Sequence, residues 1–476
     1  MAVRAAILAV WILASVAFAG GTAAWEFTTP LPTVKPSSFA VKLGGAIYLV
    51  GGSPWENGGD QDGSVYKLLN GTWSTVAPIT GVGPAVGQGG GVDSLGRILI
   101  FGGMVQGSGD FAETRAYLPS QGPVATPPEA PATLPPLNFS TAVDNLHRIY
   151  RMGGGGGASG LNYGGVARYD AATNSWATLA YLPYTRASVA TCYDGLGHVW
   201  GFGGYTSFGT PRIVDTIRYT IATNTWESIG LLYLPVATSS GQAVLGENGK
   251  VYVIGGYAGW YGFTPTATVY VLDPGAANPV LQTGPSLNVA RADFGAVLGD
   301  DGFIYVIGGV GAAGPLTSVE RLYTRPCAAV GAGSGSVTVA AGGSATFTAP
   351  ASGGQPLAFA WEKDGVTLQN GTTTGGSVIS GATTTSITIQ NAGPADAGAY
   401  VLVATNPCGP AESAPMTLSL QGNPADLNHD GSVNGADLGM LLAAWGACPG
   451  GTCPADINGD GVVNGADLGA LLAAWG

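Results

Sequence analysis

Two stretches near the end of the chain carry side chains spaced to hold a cation. Residues 426–437 read DLNHDGSVNGAD and residues 456–467 read DINGDGVVNGAD, one pattern written twice. A calcium-binding loop offers oxygen from its first, third, fifth, seventh, ninth and twelfth positions and needs glycine at the sixth for a sharp turn. The first copy supplies Asp426, Asn428, Asp430, the Ser432 carbonyl, Asn434 and Asp437, with Gly431 at the turn. The second supplies Asp456, Asn458, Asp460, the Val462 carbonyl, Asn464 and Asp467, with Gly461. Two such loops in register predict two Ca2+ ions as cofactors, and the plainer alternative is a pair of solvated acidic loops.

The elements that must position these oxygens follow each loop. Leu438, Leu441, Leu442 and Trp445 recur at the spacing of one helix face, as do Leu468, Leu471, Leu472 and Trp475. Two short helices are therefore expected to pack on each other. Their core is small, so ions that neutralise the aspartates should supply much of the folding free energy. A calcium loop followed by one helix, duplicated in this way, resembles a type I dockerin. The resemblance implies a cohesin-like or surface-anchoring partner. Dockerin contacts often use hydroxyl residues at loop positions ten and eleven, but Gly435, Ala436, Gly465 and Ala466 stand there, and residues 442–444 on the helix are apolar. The expected surface therefore departs from the usual docking one.

Composition bounds the rest of the chain. The sequence has 476 residues, 80 of them Gly, with a formal net charge of −12 and only 10% charged residues. No basic footprint exists for nucleic acid or for an anionic membrane surface, so neither is expected as a partner. Abundant glycine with little charge suits an exported all-β protein with many turns. Residues 1–19 combine Arg4, an apolar run and a small-residue end at Ala17, Phe18 and Ala19, the pattern of a secretory signal peptide. A retained signal anchor is the alternative. No later stretch is long enough to span a bilayer, so no integral membrane span is expected after signal removal, and the chain is expected to be secreted or at the cell surface. The five cysteines allow two disulfides, Cys327 with Cys408 and Cys448 with Cys453, leaving Cys192 as a small buried residue.

The first three hundred residues repeat. Gly-Gly pairs begin at Gly51, Gly102, Gly153, Gly203, Gly255 and Gly308, each closing an apolar strand. A tyrosine follows each pair, at Tyr66, Tyr117, Tyr169, Tyr219, Tyr270 and Tyr323, and in three repeats a tryptophan comes next, at Trp73, Trp176 and Trp226. Glycine supplies the positive φ of a tight turn, and the aromatic residues are expected to pack between neighbouring repeats. A repeat of this length with these features resembles kelch blades, each a four-stranded sheet. The sixth repeat lacks its own Trp, yet the segment from Trp25 matches the fourth strand at Trp176, so the N-terminal strand should complete the last blade and remove an open edge. Val124 stands at the Trp position of the second blade and the fifth has a looser segment, so their outer strands are expected to be irregular.

Kelch resemblance leaves function open. It implies ligand contacts on the loops after the second strands and between blades. Those loops hold Trp55, Glu56, Asp60 and Asp62, Tyr205 and Phe208, Trp260, Tyr261 and Phe263, with Arg186 and Arg291 between blades. Exposed aromatics beside acids and an arginine suit an extracellular peptide, protein or glycan, and the plainer alternative is that they cover the blade tops. Copper radical chemistry of the galactose-oxidase type is not expected, because His147 and His198 are the only histidines of this region and Cys192 its only thiol. A mutarotase-like, sugar-acting enzyme is the alternative function. It would recruit an acid and a base from residues such as Glu56, Asp110, Glu113 and Arg186, none of which lies in a catalytic motif.

From Cys327 the pattern resembles an immunoglobulin-like domain, with Trp361 in the core and Tyr400 in an Asp-x-Gly-x-Tyr corner. Ala349 and Leu402 occupy the usual inter-sheet disulfide positions, so packing is expected to hold this core. The expected organisation is mainly β: a signal peptide (1–19), a six-bladed kelch propeller (20–325), an Ig-like β-sandwich spacer (326–420) and a small α-helical dockerin-like calcium domain (421–476).

Overall fold

The computed structural model describes residues 23–476 apart from 53–63, 79–88, 106–108, 111–112, 132–133, 156–161, 208–209, 261, 429–430 and 449–452. The segment read as a signal peptide lies outside the described residues. The chain is mainly β and separates into two compact units, Ala23–Pro326 and Cys327–Gly476.

Among the described residues of Ala23–Pro326 there are six four-stranded antiparallel sheets. Each repeat supplies one of them because its successive strands pair antiparallel, through tight turns and through longer loops after the second strands. The first strands, Ser38–Leu43, Gly89–Val92, Ser140–Val143, Ala190–Tyr193, Gln242–Leu245 and Gly295–Leu298, neighbour one another in order, and the sixth returns to the first. The sixth sheet draws its outer strand, Glu26–Thr28, from the start of the chain, with Glu26 opposite Arg321 and Thr28 opposite Val319. Trp25 shows why this strand belongs there. Its indole donates to the Pro285 carbonyl at 2.8 Å, as Trp73, Trp176 and Trp226 donate to Thr29, Pro128 and Ala180. Each Trp thus fastens its sheet to the one before it. All six repeat tyrosines are buried. The outer strands expected to be irregular do form, as Gly122–Val124 and Leu281–Thr283, but each is only three residues long.

The Gly-Gly pairs are required by close approach as well as by φ. At Gly203 and Gly204 φ is +64° and +94°. A Cβ on Gly203 would lie 2.3 Å from the Thr238 carbonyl, and one on Gly204 would lie 2.6 Å from that of Ala187. No side chain fits there. Hairpins between first and second strands share a second device: Asp93, Asp144 and Asp194 accept backbone N–H bonds from the turn and pair with Arg97, Arg148 and His198 four residues on. His198, the first residue of the strand His198–Phe202, therefore serves to fix its hairpin.

In the second unit, two sheets enclose a core that includes Phe347, Trp361, Ile387, Tyr400 and Leu402. Trp361 is fully buried with its indole donating to the Thr384 carbonyl, and the Tyr400 hydroxyl donates to the Asp396 carbonyl at 2.7 Å. Ala349 and Leu402 sit buried in that core, and Cys327–Cys408 is the covalent tie. Farther along, α1 (Gly435–Ala443) and α2 (Gly465–Ala473) touch each other. Leu441 and Leu471 are fully buried, but Leu442, Trp445, Leu472 and Trp475 remain about half exposed. The two helices thus meet through one side of each stripe only: adjacent helical residues point about 100° apart, and so small a body covers no more.

Candidate functional site: a polar cavity with an aromatic rim

Just before the first strand of five of the repeats, one residue takes a left-handed backbone conformation. Ser37, Asn138, Ser188, Ser240 and Asp293 have φ of +59°, +52°, +51°, +56° and +52°. None is glycine, so each conformation costs on the order of 1 kcal/mol and persists because its surroundings fix it. What fixes it is a circuit of main-chain hydrogen bonds between successive repeats. Ser37 N–H donates to Asp293 C=O at 2.7 Å, Asp293 to Ser240 at 3.0 Å, Ser240 to Ser188 at 3.1 Å and Ser188 to Asn138 at 2.8 Å. Gly87, at the matching place in the second repeat, lies outside the described residues.

These five residues line a cavity of about 580 Å3. Tyr205, Arg212, Tyr257, Trp260 and Phe263 also face it, from the loops that follow the second strands of the fourth and fifth sheets. Trp260 and Phe263 are 59% and 69% exposed, unusual for such large apolar groups, whereas Tyr257 is buried. The Tyr257 and Phe263 rings meet edge to face with centroids 5.3 Å apart. Arg212 holds the loop in shape. Its Nε donates to Ser239 Oγ at 2.7 Å, while Nη1 and Nη2 donate to the Gly259 and Gly262 carbonyls. Burial pushes its pKa down, with Tyr257 and Tyr205 acting the other way.

Asp293 is the acidic group of the cavity wall. Tyr257 Oη donates to its Oδ2 at 2.8 Å, and the Ser240 hydroxyl also bonds to its side chain. Desolvation raises its pKa above the ordinary carboxylate value, against those two hydrogen bonds. Burial likewise raises the phenol pKa of Tyr257, and Asp293 adds to the rise.

Of the residues predicted from sequence to meet a ligand, Tyr205, Trp260 and Phe263 line this cavity. Trp55, Glu56, Asp60, Asp62, Phe208 and Tyr261 lie outside the described residues. Arg186 and Arg291 must be corrected. Both are fully buried: Arg186 bonds to Asp215 at 2.9 Å and to the Gly203 carbonyl, and Arg291 bonds to Glu320 at 2.6 Å and to the Gly308 carbonyl. They tie the loop before a first strand to the third strand of the same sheet, and their donors face inward. Glu113, a possible acid in the enzyme alternative, pairs with Arg115 instead. Sequence reading missed Arg212, Tyr257 and Asp293, although Asp293 falls in register with Ser37, Asn138, Ser188 and Ser240.

In the tandem loops the carboxylates gather main-chain donors. Asp437 accepts from the N–H of Leu427 at 2.8 Å, Asn428 at 3.1 Å and Asn434 at 2.9 Å, and the Asn434 N–H leads the causes that lower its pKa. Asp456 accepts from Asp460 and Gly461 N–H, and Asp467 from Asn458 and Asn464 N–H. Desolvation raises the Asp467 pKa, yet its backbone donors together bring it below the ordinary value. Asn434 and Asn464 act as N-caps, accepting from Ala436 and Ala466 N–H. The donor set is all oxygen, which suits a hard cation. Among the described residues no three acidic, histidine or cysteine side chains group closely enough to hold a metal, and Asp430 lies outside them. Any cation here would depend on Asn458 and on the Val462 carbonyl as well as on the acids.

Residues 37–256 match the KLHDC2/KLHL20/DRC7 Kelch-repeats domain, and residues 330–419 match the Immunoglobulin I-set domain. No curated protein matches the chain. The chain thus carries a Kelch-repeat domain and an Ig-like domain, which together suggest a protein-binding role. Among the described residues, no helix is long and apolar enough to cross a membrane.

Proposed function

We propose that this is a secreted or cell-surface binding protein whose six sheets form a six-bladed propeller and recognise an extracellular partner through the cavity beside Asp293. The observation that carries the reading is the cavity itself. A concave site lined by hydroxyl, amide and carboxylate groups, with two largely exposed aromatic residues at its edge, has the form of a recognition site. Export is supported by the segment at residues 1–19 and by two disulfides, Cys327–Cys408 and Cys448–Cys453, which persist in oxidising compartments. The Ig-like domain serves as a spacer.

The tandem acts in this reading as a dockerin-like anchor that takes two Ca2+ ions, on Asp426, Asn428, Asp430, Ser432, Asn434 and Asp437 and on Asp456, Asn458, Asp460, Val462, Asn464 and Asp467. Its support is the all-oxygen donor set and the exposed pairs Leu442 with Trp445 and Leu472 with Trp475, which leave apolar surface for a cohesin-like or surface partner.

Arrays of extracellular proteins and of glycans, probed with the full chain and with a Trp260→Ala, Phe263→Ala variant, test the recognition site. Protein binding lost in the variant is expected. Glycan binding lost in the variant would transfer the site to sugars, and equal binding by both forms would remove the cavity from recognition. Calorimetric titration of the full chain with Ca2+ should give two ions per chain and one for Asp456→Ala; an absence of heat would end the anchoring proposal.

A further inference from the structure

The cavity has an electrostatic asymmetry that selects among protein partners. Its acid and its base are used differently. All three Arg212 nitrogens donate within the protein, to Ser239 Oγ and to the Gly259 and Gly262 carbonyls, so this guanidinium serves the loop that carries Trp260 and Phe263. Asp293 accepts from the Tyr257 hydroxyl and from Ser240, both neutral, and among the described residues it forms no ion pair. A carboxylate has about four lone-pair sites, so two remain for a ligand.

Four aromatic residues share the cavity with this carboxylate, and Tyr257 touches it. Tyr205, Tyr257, Trp260 and Phe263 present ring surfaces of the kind that attracts a cation. At longer range the unit that holds the cavity, Ala23–Pro326, has 19 acidic against 15 basic side chains, a net −4 that mildly favours positively charged partners. Resting on the reading of the cavity as a protein-recognition site, we infer that it receives a lysine or arginine side chain of the partner, its head group on Asp293 and its stem against Tyr257, Trp260 and Phe263. Tyr257 orients the carboxylate, and Arg212 positions the aromatic loop without touching the ligand.

The same arrangement explains why the acid can stand without a cation in the free protein. Desolvation raises the Asp293 pKa, and an arriving cation would bring it back down. The groups that face Asp293 are Tyr257 and Tyr205, which are neutral near pH 7, with Arg212 behind the Tyr257 ring at 5.9 Å from its centroid.

An array of blocked decapeptides, with no free terminal charges, read with the full chain provides the test. The bound peptides are expected to share Lys or Arg at one position. Replacing that residue by norleucine should weaken binding to the native chain at least about tenfold, as for truncation of a buried charged pair. In Asp293→Asn, which keeps the shape and the Tyr257 contact, the basic and norleucine peptides should bind alike. Asp or Glu at the shared position would make Arg212 the anchor and overturn the inference. So would a preference for basic peptides that survives in Asp293→Asn. Peptides that bind without a basic preference, and lose binding in Trp260→Ala, would overturn this inference while leaving the recognition site standing. If no peptide binds, or binding is indifferent to Trp260→Ala, both fall. Unchanged thermal melting of the two variants excludes unfolding as the cause.

Discussion

Arg291 and Lys42 show how the same chemistry has different weight at different depths. Arg291 and Glu320 meet with both side chains fully buried, and the guanidinium also donates to the Gly308 and Ser318 carbonyls. Removing one partner leaves a charge without water or counterion. Arg291→Ala should therefore cost about 3–5 kcal/mol in urea unfolding. Lys42 pairs with Asp300 at 2.6 Å, but the two side chains are 39% and 55% exposed, so Lys42→Ala should cost under about 1 kcal/mol. Equal losses would refute the latch assigned to Arg291. Cys192 gives a second residue-scale test. Burial drives its thiol pKa up to about 12, with Asp194 adding to the rise, and its Sγ lies 3.2 Å from the Tyr193 carbonyl. Only the thiolate is alkylated, so at pH 8 iodoacetamide should label this thiol in urea and spare it in the native chain. Fast native labelling would show an accessible thiol.

Strand closure is the main event at the scale of elements. The strand Glu26–Thr28 is only three residues long, yet it supplies the outer edge of the sixth sheet. Its anchor is Trp25, which is 5% exposed, gives its indole N–H to Pro285 and accepts at its carbonyl from the Asn288 side chain. Trp25→Ala should destabilise the unit by about 3–5 kcal/mol, the range for a buried large aromatic residue. Trp73, whose indole bond to Thr29 is exposed, should cost clearly less, and denaturant midpoints of the two variants make the comparison. The repeat, its glycine turns and this closing strand were legible in the sequence because each recurs in register with residue types that have one physical use. The cavity was only half legible. Tyr205, Trp260 and Phe263 could be chosen as aromatics on loops, but the role of Asp293 depends on Tyr257 and Ser240, and these three meet only after the fifth and sixth repeats are placed side by side. Arg186 and Arg291 misled for the opposite reason: an arginine between repeats reads as exposed until Asp215 and Glu320 are found opposite.

Across the whole molecule, covalent ties and packing are divided between the two units. Ala23–Pro326 holds one cysteine, the free Cys192, and depends on interlocked sheets, main-chain hydrogen bonds between repeats and buried ion pairs. Cys327–Gly476 has both disulfides, one of them joining residues 81 apart in sequence. Restricting a loop of that length in the unfolded chain is worth about 4–5 kcal/mol on the chain-entropy account. Reduction should therefore lower the melting of the second unit by many degrees and leave that of the first in place. Differential scanning calorimetry of the full chain, with and without reductant, would separate the two transitions. A variant with Cys327, Cys408, Cys448 and Cys453 all replaced by Ala should reproduce the reduced trace without reductant. If both transitions fell together under reduction, the units would be energetically coupled, and a spacer that presents its neighbour without altering it would be the wrong description of the Ig-like domain.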